Sequence, residues 1–410
     1  MIPLPKEAKG AKFEMERTRE GRIVAVAGHT IVQLLPNGRL SRQFGDRGRL
    51  TIRPPENVDF GLGGIAVDSQ GRIVVAGTSS AGGSWATIAR YLPSGDLDPS
   101  FGAEGTVNTD FGLPRVPSET DPPARVSVTG LALDSEDRPV LTGASVIKLE
   151  QGCYLSRTAY ITGGYVARLT SGGGPDHSFH ATGVLPDAGQ QWAEMPLARG
   201  AEGIAYVGVD NEQCGHGAAR TSALTTVDGN GGSARVLGEA RFSDVSPFGT
   251  PTQMGLDRYG RILLFGHVWQ MHAQYPWGES RQLTRFSPDG ALDASFGRGG
   301  RVAVRPPKKS ISLSSFAIDR RGRPLLIGAR KVRGGLATGI WLTRRTVAGK
   351  LDRDFGENGS DTLLFGPGSH VRMGRAVAEG RGRLLVGATI SSARLPTGFG
   401  LAFARYLGGR

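Results

Sequence analysis

The sequence of 410 residues predicts an all-β fold: a seven-bladed β-propeller built from four-stranded antiparallel blades. The first observation is a recurring string in which a turn residue precedes a short apolar run, as in SQGRIVVAG (69–77) and RRGRPLLIG (320–328). The string occurs seven times, with its turn residue at Gly21, Gly71, Asp137, Gly203, Gly260, Gly322 and Gly382. The spacing of 50 to 66 residues is that of one supersecondary unit. We therefore expect a single repeat domain over residues 1–410.

The second observation is the pattern inside each unit, where short apolar runs are separated by turn residues and no helical periodicity appears. In the second unit the runs are GIAVD (64–68), RIVVAG (72–77), TIARYLP (87–93) and GTVNTDF (105–111). Four strands per unit without covering helices favour radial repetition, which protects sheet edges. The last unit lacks a fourth run, whereas MIPLPKE precedes the first unit. We expect the N-terminal segment to pair as the outer strand of the last blade and to close the ring.

A second recurring string joins the blades. Its copies include LSRQFGDRGRL (40–50), LDPSFGAEGTV (97–107), LDASFGRGGRV (292–302) and LDRDFGENGSD (351–361). The shared phenylalanines are predicted to be buried between neighbouring blades; they are Phe44, Phe101, Phe179, Phe296 and Phe355. The glycine that follows all of them except Phe179 lets the chain turn.

Arginines and aspartates also recur at fixed positions of the unit. The arginines of the third strand are Arg90, Arg168, Arg285, Arg344 and Arg405, and the aspartates after the next turn are Asp98, Asp176, Asp293 and Asp352. We interpret them as bidentate pairs within each blade, since a guanidinium matches a carboxylate in plane. A further set ends the first strands and favours tight turns: Asp68, Asp134, Asp257 and Asp319.

The two strings resemble those of the bacterial delta-60 repeat proteins, whose unit carries LDxxFGxxG followed by an AxDxxGRIxxxG hairpin. The resemblance extends over essentially the whole chain and is weakest in the fourth unit, where TTVDGNGGSARVLG (225–238) replaces the motif. The strand order is also similar to that of NHL-type propellers. This resemblance implies a β-propeller and often export to the cell surface, but no shared activity or catalytic residue. An extracellular or cell-surface location is therefore favoured, although this chain shows no signal peptide.

Composition excludes some functions. The net charge is +12, but most arginines recur within the repeat and are predicted to be structural. No apolar window is long enough for a membrane helix, and no GxSxG, HExxH or Walker motif occurs. We expect no cofactor, no metal, no membrane insertion and a monomer. Nucleic acid is disfavoured as a partner, because there is no recognition helix and no interleaving of aromatic with basic residues.

Long connections between second and third strands, expected on one face, are the candidate binding elements: 144–164, 209–222 and 267–281. The last contains the candidate ligand-binding residues His267, Trp269, His272, Tyr275 and Trp277. Aromatic rings stack on sugars or cover a partner's apolar surface. The alternative is that these rings pack together as a small satellite core.

Two cysteines fall in the first two of these connections, at Cys153 and Cys214. They are candidates for a disulfide that joins the connections, which would require an oxidising compartment. The alternative is two unrelated thiols.

A basic cluster is predicted on the same face. It consists of Lys308, Lys309, Arg330, Lys331 and Arg333. Such a patch suits an anionic glycan, a phosphate or an acidic protein, and the alternative is a solvated basic rim.

These features favour a non-catalytic binding propeller that recognises a glycan or protein partner through its loop-bearing face. The alternative is a hydrolase or lyase with a site at the central channel, using a histidine from the long connections.

Overall fold

The structure, a computed structural model, describes most of the chain. The described residues are 1–6, 12–52, 58–80, 84–113, 126–151, 158–180, 184–185, 192–198, 203–211, 220–232, 235–238, 251–272, 275–305, 311–331, 337–365, 368–379 and 383–406. Within these ranges every named element is a β-strand, so the predicted all-β class is confirmed. No helix in the described part of the chain is long and apolar enough to cross a membrane.

Five sheets have four antiparallel strands each, in simple meander order. The chain begins with the short strand β1 (Ile2–Pro3). The first four-stranded sheet contains β2 (Phe13–Arg17), β3 (Ile23–Ala27), β4 (Thr30–Leu34) and β5 (Arg49–Thr51). The second contains β6 (Asp59–Val67), β7 (Ile73–Ser80), β8 (Ser84–Tyr91) and β9 (Thr106–Thr109). The third contains β10 (Val126–Leu133), β11 (Pro139–Gln151), β12 (Thr158–Arg168) and β13 (Val184–Leu185). The fourth contains β14 (Trp192–Ala198), β15 (Ile204–Asn211), β16 (Arg220–Val227) and β17 (Arg235–Gly238). The fifth contains β18 (Pro251–Leu256), β19 (Ile262–His272), β20 (Tyr275–Phe286) and β21 (Arg301–Val304).

The remaining strands form one eight-stranded sheet. It contains β22 (Ile311–Ile318), β23 (Pro324–Lys331), β24 (Ala337–Arg344), β25 (Ser360–Leu364), β26 (Ser369–Ala378), β27 (Leu384–Ser392) and β28 (Phe399–Tyr406), together with β1. The strand order is β1-β28-β27-β26-β24-β23-β22, and β25 pairs with β24 on the edge opposite β23, beside the contact with β26. The two halves of this sheet meet where Ala337 of β24 pairs with Val371 of β26.

The prediction of seven separate blades closed into a ring by the N-terminal strand is wrong. The described strands form six hydrogen-bonded sheets, because the contact between β24 and β26 joins the last two repeats into one sheet. Strand β1 does pair with β28, with Ile2 opposite Leu401 and Pro3 opposite Gly400. However, no strand pairing in the described residues links that sheet to β2–β5, so backbone hydrogen bonds do not close a ring.

The tight turns between first and second strands form as predicted, because one aspartate organises each of them. In the β6–β7 turn, Oδ1 of Asp68 accepts the backbone N–H groups of Gln70 and Arg72 at 2.9 and 2.8 Å. Gly71 has φ +80°, a conformation that suits glycine. The same turn recurs at Asp134, Asp257 and Asp319. Their predicted role in turn formation is therefore confirmed.

The phenylalanine joints also form as predicted. The rings of Phe44, Phe101, Phe179, Phe296 and Phe355 are fully buried. Phe101 packs with Val126 and Leu141 of the following sheet, which confirms its place between neighbouring sheets. The next residue, Gly102, has φ +56° and donates its N–H to the carbonyl of Gly172, 2.8 Å away. A Cβ at Gly102 would lie 2.2 Å from the carbonyl oxygen of Thr106, so only glycine fits there without a shift.

The chain divides into two compact units. The first comprises Met1–Ser41, Gly48–Thr51 and Pro251–Arg410, and the second comprises Arg42–Arg47 and Ile52–Thr250. Each unit has apolar clusters that lie between its sheets. In the first unit, Phe13 and Met15 of β2 pack with Leu385 and Leu401 of the eight-stranded sheet.

Candidate functional site

The repeated arginines have a structural role, and Arg90 illustrates it by binding acceptors of its own repeat and of the neighbouring sheet. Nε of Arg90 donates to Oδ2 of Asp98 at 2.8 Å, and Nη2 donates to Oγ of Ser100 at 2.9 Å. Nη1 donates to the carbonyl of Ser171 in the next sheet, and the guanidinium lies 4.6 Å from the ring centroid of Phe101. The predicted pairing is confirmed in its partners, but it is not bidentate, because the other nitrogens bind the serine and the neighbouring turn.

The same arrangement recurs along the chain. The Nε to Oδ2 distances are 2.6 Å for Arg168–Asp176, 2.8 Å for Arg285–Asp293 and 2.6 Å for Arg344–Asp352. In the last repeat, Arg405 binds Glu379 instead and donates to the carbonyl of Pro36 in the first sheet. A contact that is copied in successive blades is part of the fold, so these residues are not the ligand site.

Burial alone would raise the pKa of Asp98, but hydrogen bonds from Ser100 and the charge of Arg90 hold it below its usual value. The pKa values of Asp176 and Asp293 are lowered for the same reasons. These carboxylates are therefore ionised and fully engaged within the repeat.

The described parts of the predicted long loops are strand. Residues 144–151 and 158–164 belong to β11 and β12, residues 209–211 and 220–222 to β15 and β16, and residues 267–272 and 275–281 to β19 and β20. The first and the last of these hairpins contain a register shift, between Val146 and Lys148 in the first and between Gln270 and His272 in the last. Such bulges interrupt the alternation of apolar and polar residues, which is why the sequence indicated loops.

The aromatic candidates lie at the far end of the β19–β20 hairpin. In the backbone register, His267 is opposite Arg281, Trp269 is opposite Glu279 and His272 is opposite Tyr275. Trp277 lies on β20 between these pairs. The structure describes the backbone of these five residues, and it brings all of them into one hairpin.

The other candidates are only partly covered by the structure. Arg330 and Lys331 end β23, and Arg330 pairs through its backbone with Ile311 and Gly339. The Arg330 side chain is partly exposed. Lys308, Lys309, Arg333, Cys153 and Cys214 lie outside the described residues. The basic patch and the disulfide therefore stay predictions.

The sheet that carries the aromatic hairpin is held firmly against its neighbour. The amide of Gln253 donates to the carbonyl of Phe316 and accepts its N–H, both at 2.8 Å. Near the hairpin, Nε of the buried Arg281 donates to the carbonyl of Leu313 at 3.1 Å. Burial lowers the pKa of Arg281 to about 10, so it remains charged at neutral pH. These contacts fix the base from which the hairpin projects.

A second candidate site lies on β2, the first strand of its sheet. Oε2 of Glu14 accepts a hydrogen bond from Nε of Arg375 on β26 at 3.3 Å, and Glu14 also pairs with Lys12. Burial opposes ionisation of Glu14, but Arg375 and Lys12 lower its pKa overall.

Its neighbour Glu16 has the opposite behaviour. Its side chain reaches solvent, yet the surrounding protein desolvates the carboxylate, and the charge of Glu14 adds to the effect, so that its pKa rises to about 7. Adjacent carboxylates with separated pKa values are a recurring feature of acid–base sites.

The sequence reasoning missed Glu14 and Glu16. Strand β2 reads FEMER, with Phe13 and Met15 buried and the charged residues between them, which is the alternation of a strand with one apolar face. That signal identifies the strand but not the partner, because Arg375 is 361 residues away. Among the described residues no group of three or more His, Cys, Asp or Glu side chains could hold a metal ion.

The family comparison supports the fold. A profile described as a domain of unknown function (DUF5122) beta-propeller matches residues 69–101. This segment contains β7 and β8 and leads into the Phe101 joint. The chain therefore has the β-propeller fold, with four-stranded antiparallel blades. The match spans well under half of the chain and does not by itself assign the chain to that family.

Solved structures give distant likenesses. A protein of unknown function from Dyadobacter fermentans is 14% identical, with a TM-score of 0.44 over 84% of this chain and 94% of that one. An aldose sugar dehydrogenase from Streptomyces coelicolor is 13% identical, with a TM-score of 0.42 over 82% and 95%. An alpha-L-arabinanase from Penicillium chrysogenum is 10% identical, with a TM-score of 0.33 over 97% and 83%. At these values the likenesses carry no argument about function. No curated protein matches the sequence significantly.

Proposed function

We propose that this protein is a binding propeller of the delta-60 repeat type that recognises a glycan or a protein partner through the β19–β20 hairpin. The observation that carries the proposal is the length of this hairpin together with its aromatic residues, since β11 and β12 are similarly long with 13 and 11 residues. Strands β19 and β20 have 11 and 12 residues, whereas β7 and β8 have 8 each. Three to four additional residues extend a strand by about 10 Å. The repeat does not need this extension, so the fold alone does not explain it.

The composition of the extension favours a ligand that aromatic groups bind. His267, Trp269 and His272 lie on β19, and Tyr275 and Trp277 lie on β20. Tryptophan and tyrosine combine a large apolar face with a hydrogen-bonding edge, which suits both sugar rings and partner hot spots. The predicted basic cluster at Lys308, Lys309, Arg330, Lys331 and Arg333 would add affinity for an anionic partner.

Export fits this proposal. An extracellular or cell-surface propeller meets glycans directly, and a disulfide between Cys153 and Cys214 would be stable there. Quantifying free thiols in the denatured protein with and without reductant tests that bridge. Two reactive thiols without reductant would rule it out.

The experiment is a glycan array with the Trp269→Ala/Trp277→Ala double variant. We expect the wild type to bind a defined group of glycans and the double variant to lose at least tenfold in affinity, since aromatic contacts are commonly worth more than 1 kcal/mol. The matched control is Trp85→Ala on β8, a partly exposed tryptophan of a shorter hairpin. Unchanged glycan binding by the double variant would refute the aromatic site. If the wild type captures a protein and binds no glycan, the partner is a protein.

A second candidate function is a glycoside hydrolase, favoured by Glu14 and Glu16. A carboxylate kept ionised by Arg375 and a neighbouring carboxyl with a pKa of about 7 match the base or nucleophile and the general acid of that chemistry. The predicted alternative used a histidine from the long connections, and the described residues offer these glutamates in its place.

The test is turnover of a panel of aryl glycosides by the wild type, Glu14→Gln and Glu16→Gln. If the candidate is right, both variants lose at least a hundredfold in kcat. Glu20→Gln, an exposed carboxylate of the adjacent β2–β3 turn, is the control and keeps full activity. No turnover by the wild type across the panel would remove this candidate and leave the binding function.

A further inference from the structure

Two neighbouring turns of the first unit carry an unusual set of side chains. They are the β18–β19 turn, from Asp257 to Arg261, and the β22–β23 turn, from Asp319 to Arg323. In both, the aspartate and the last arginine are used by the turn itself, with Nε to Oδ2 distances of 2.7 and 2.8 Å. The second position after the aspartate contributes its backbone N–H, but the side chains of both positions take no part in that network.

Those positions hold Arg258, Tyr259, Arg320 and Arg321, and all four side chains are exposed. The corresponding positions in the β6–β7 turn are Ser69 and Gln70. In the β10–β11 turn they are Ser135 and Glu136. The turn geometry therefore accepts uncharged or acidic residues, and the basic character of the two turns in the first unit is not a requirement of the fold.

The two turns are in contact. A Cβ placed on Gly322 would lie 3.1 Å from Nη2 of Arg261 and 3.7 Å from Cε2 of Tyr259. Arg320 and Arg321 immediately precede that glycine, so the backbone that carries them lies next to the turn that carries Tyr259. The four residues form one continuous patch, the arginine–tyrosine turn surface: Arg258, Tyr259, Arg320 and Arg321.

The charge of this surface is not neutralised within the described residues. The ion pairs of the two turns join Arg261 to Asp257 and Arg323 to Asp319 and Asp352. None of the ion pairs among described residues includes Arg258, Arg320 or Arg321. Three guanidinium groups in a small area attract anions, and their planar forks bind carboxylate, sulfate or phosphate groups.

The tyrosine narrows the choice of partner. Its side chain is 53% exposed, but the guanidinium carbons of Arg258 and Arg261 lie 5.0 and 4.9 Å from its ring centroid. A nucleic-acid base needs an open aromatic face to stack on, and here arginines of the protein already contact the ring. The phenol hydroxyl can still hydrogen-bond to neutral hydroxyl groups.

An acidic peptide fits less well. Arginine clusters recognise acidic motifs, but the backbone of a bound peptide is otherwise held at a free strand edge or in an apolar groove. These turns are closed hairpin ends, in which Gly260 and Gly322 donate their N–H groups to Asp257 and Asp319 at 3.1 and 2.9 Å. A ligand that offers anionic groups and hydroxyls along a flexible chain matches the surface better.

We propose that the arginine–tyrosine turn surface binds an anionic polysaccharide, independently of the β19–β20 hairpin. The test measures binding of heparin and of polygalacturonate to the full chain at low salt. The Arg320→Ser/Arg321→Ser variant should bind about tenfold more weakly, because each exposed charge contact contributes less than a factor of ten. Thermal unfolding confirms that the variant is folded.

The control variant is Arg298→Ser/Arg353→Ser. It removes two exposed arginines from the phenylalanine joints and lowers the net charge equally. We expect it to bind as the wild type does. Equal weakening of binding by both double variants would show that binding depends only on net charge, and this would overturn the proposal. Undiminished binding by Arg320→Ser/Arg321→Ser would overturn it as well.

The remaining outcomes concern the partner and the other surface. Single-stranded DNA or polyglutamate that displaces heparin more effectively than polygalacturonate would overturn the choice of polysaccharide. The Trp269→Ala/Trp277→Ala variant should bind both polysaccharides as the wild type does, which separates this surface from the hairpin.

Discussion

Nε of Arg90 lies 2.8 Å from Oδ2 of Asp98, and both side chains are almost completely buried. The pair lies where one blade meets the next, since the same guanidinium reaches the carbonyl of Ser171. The pair therefore contributes to the free energy of unfolding in two ways: as a buried ion pair and as a contact between neighbouring sheets.

Replacing Asp98 by Asn should lower the free energy of unfolding by about 3 kcal/mol, because a buried guanidinium then loses its counter-ion. Asp96→Asn is the matched control, since this exposed aspartate bonds to Ser94 in the same turn, and its loss should cost under about 0.5 kcal/mol. Urea unfolding measures both. Equal stability of the two variants would mean that the buried pair contributes nothing.

The lowered pKa of Asp98 gives a pH dependence with a defined sign. Because the folded-state pKa lies below the unfolded value, the stabilisation is present at neutral pH. It is lost as the pH falls below the ordinary pKa of an aspartate, about 4. Unfolding free energies from pH 7 to 2 should fall less steeply for Asp98→Asn than for the wild type. Parallel curves would contradict this assignment.

Glu16 should act in the opposite direction. Its folded-state pKa of about 7 exceeds the ordinary value of 4.5, so stability decreases as the pH rises between these values. Glu16→Gln should therefore raise the Tm at pH 8, with the difference from the wild type vanishing near pH 4. Glu20→Gln, at the exposed turn next to β2, controls for the loss of one carboxylate. A pH-independent difference for Glu16→Gln would rule out the raised pKa.

Substituting two glycines of one joint distinguishes the cost of backbone strain from the cost of a steric clash. Gly297 and Gly299 have φ +59° and +58°, but a Cβ at Gly297 would lie 2.2 Å from the carbonyl oxygen of Arg301, whereas Gly299 has open space. Gly299→Ala should cost about 1 kcal/mol of stability through its left-handed φ alone. Gly297→Ala should cost clearly more, and chemical denaturation compares them. Equal costs would show that the joint relaxes around the added methyl group.

The phenylalanine joint offers a further comparison within one string. Phe101→Ala should cost about 3 to 5 kcal/mol, because it empties a fully buried site between two sheets. Leu97→Ala, four residues earlier and 42% exposed, should change stability by less than about 1 kcal/mol. Thermal or urea unfolding of the pair measures the difference. A small effect of Phe101→Ala would mean that the joint does not hold the sheets together.

The elements that the sequence predicted correctly are those determined by local chemistry. An aspartate four residues before an arginine makes the same turn at Asp68 and Asp319, and a phenylalanine before a glycine makes the same buried joint at Phe101 and Phe296. Each contact lies within one repeat or between neighbours, so the repeated string contains the information.

The structural features that could not be predicted from the sequence depend on single contacts outside the repeated strings. One backbone pair, Ala337 with Val371, joins two blades into one sheet and reduces the number of sheets to six. The approach of Arg375 to Glu14 brings together residues from the two ends of the chain. The long hairpins were taken for loops because bulges near Lys148 and His272 break the alternation along their strands.

The arginine contacts also bear on how such a chain changes in evolution. Arg90, Arg168, Arg285 and Arg405 each donate to a main-chain carbonyl of another repeat, and the receiving residues are Ser171, Gly229, Val347 and Pro36. Since every residue type has a carbonyl, the acceptor is provided whatever side chain occupies that turn. Copying or deleting a whole repeat would therefore create a junction that already fits, and the surface residues of each turn are free to diverge toward new ligands.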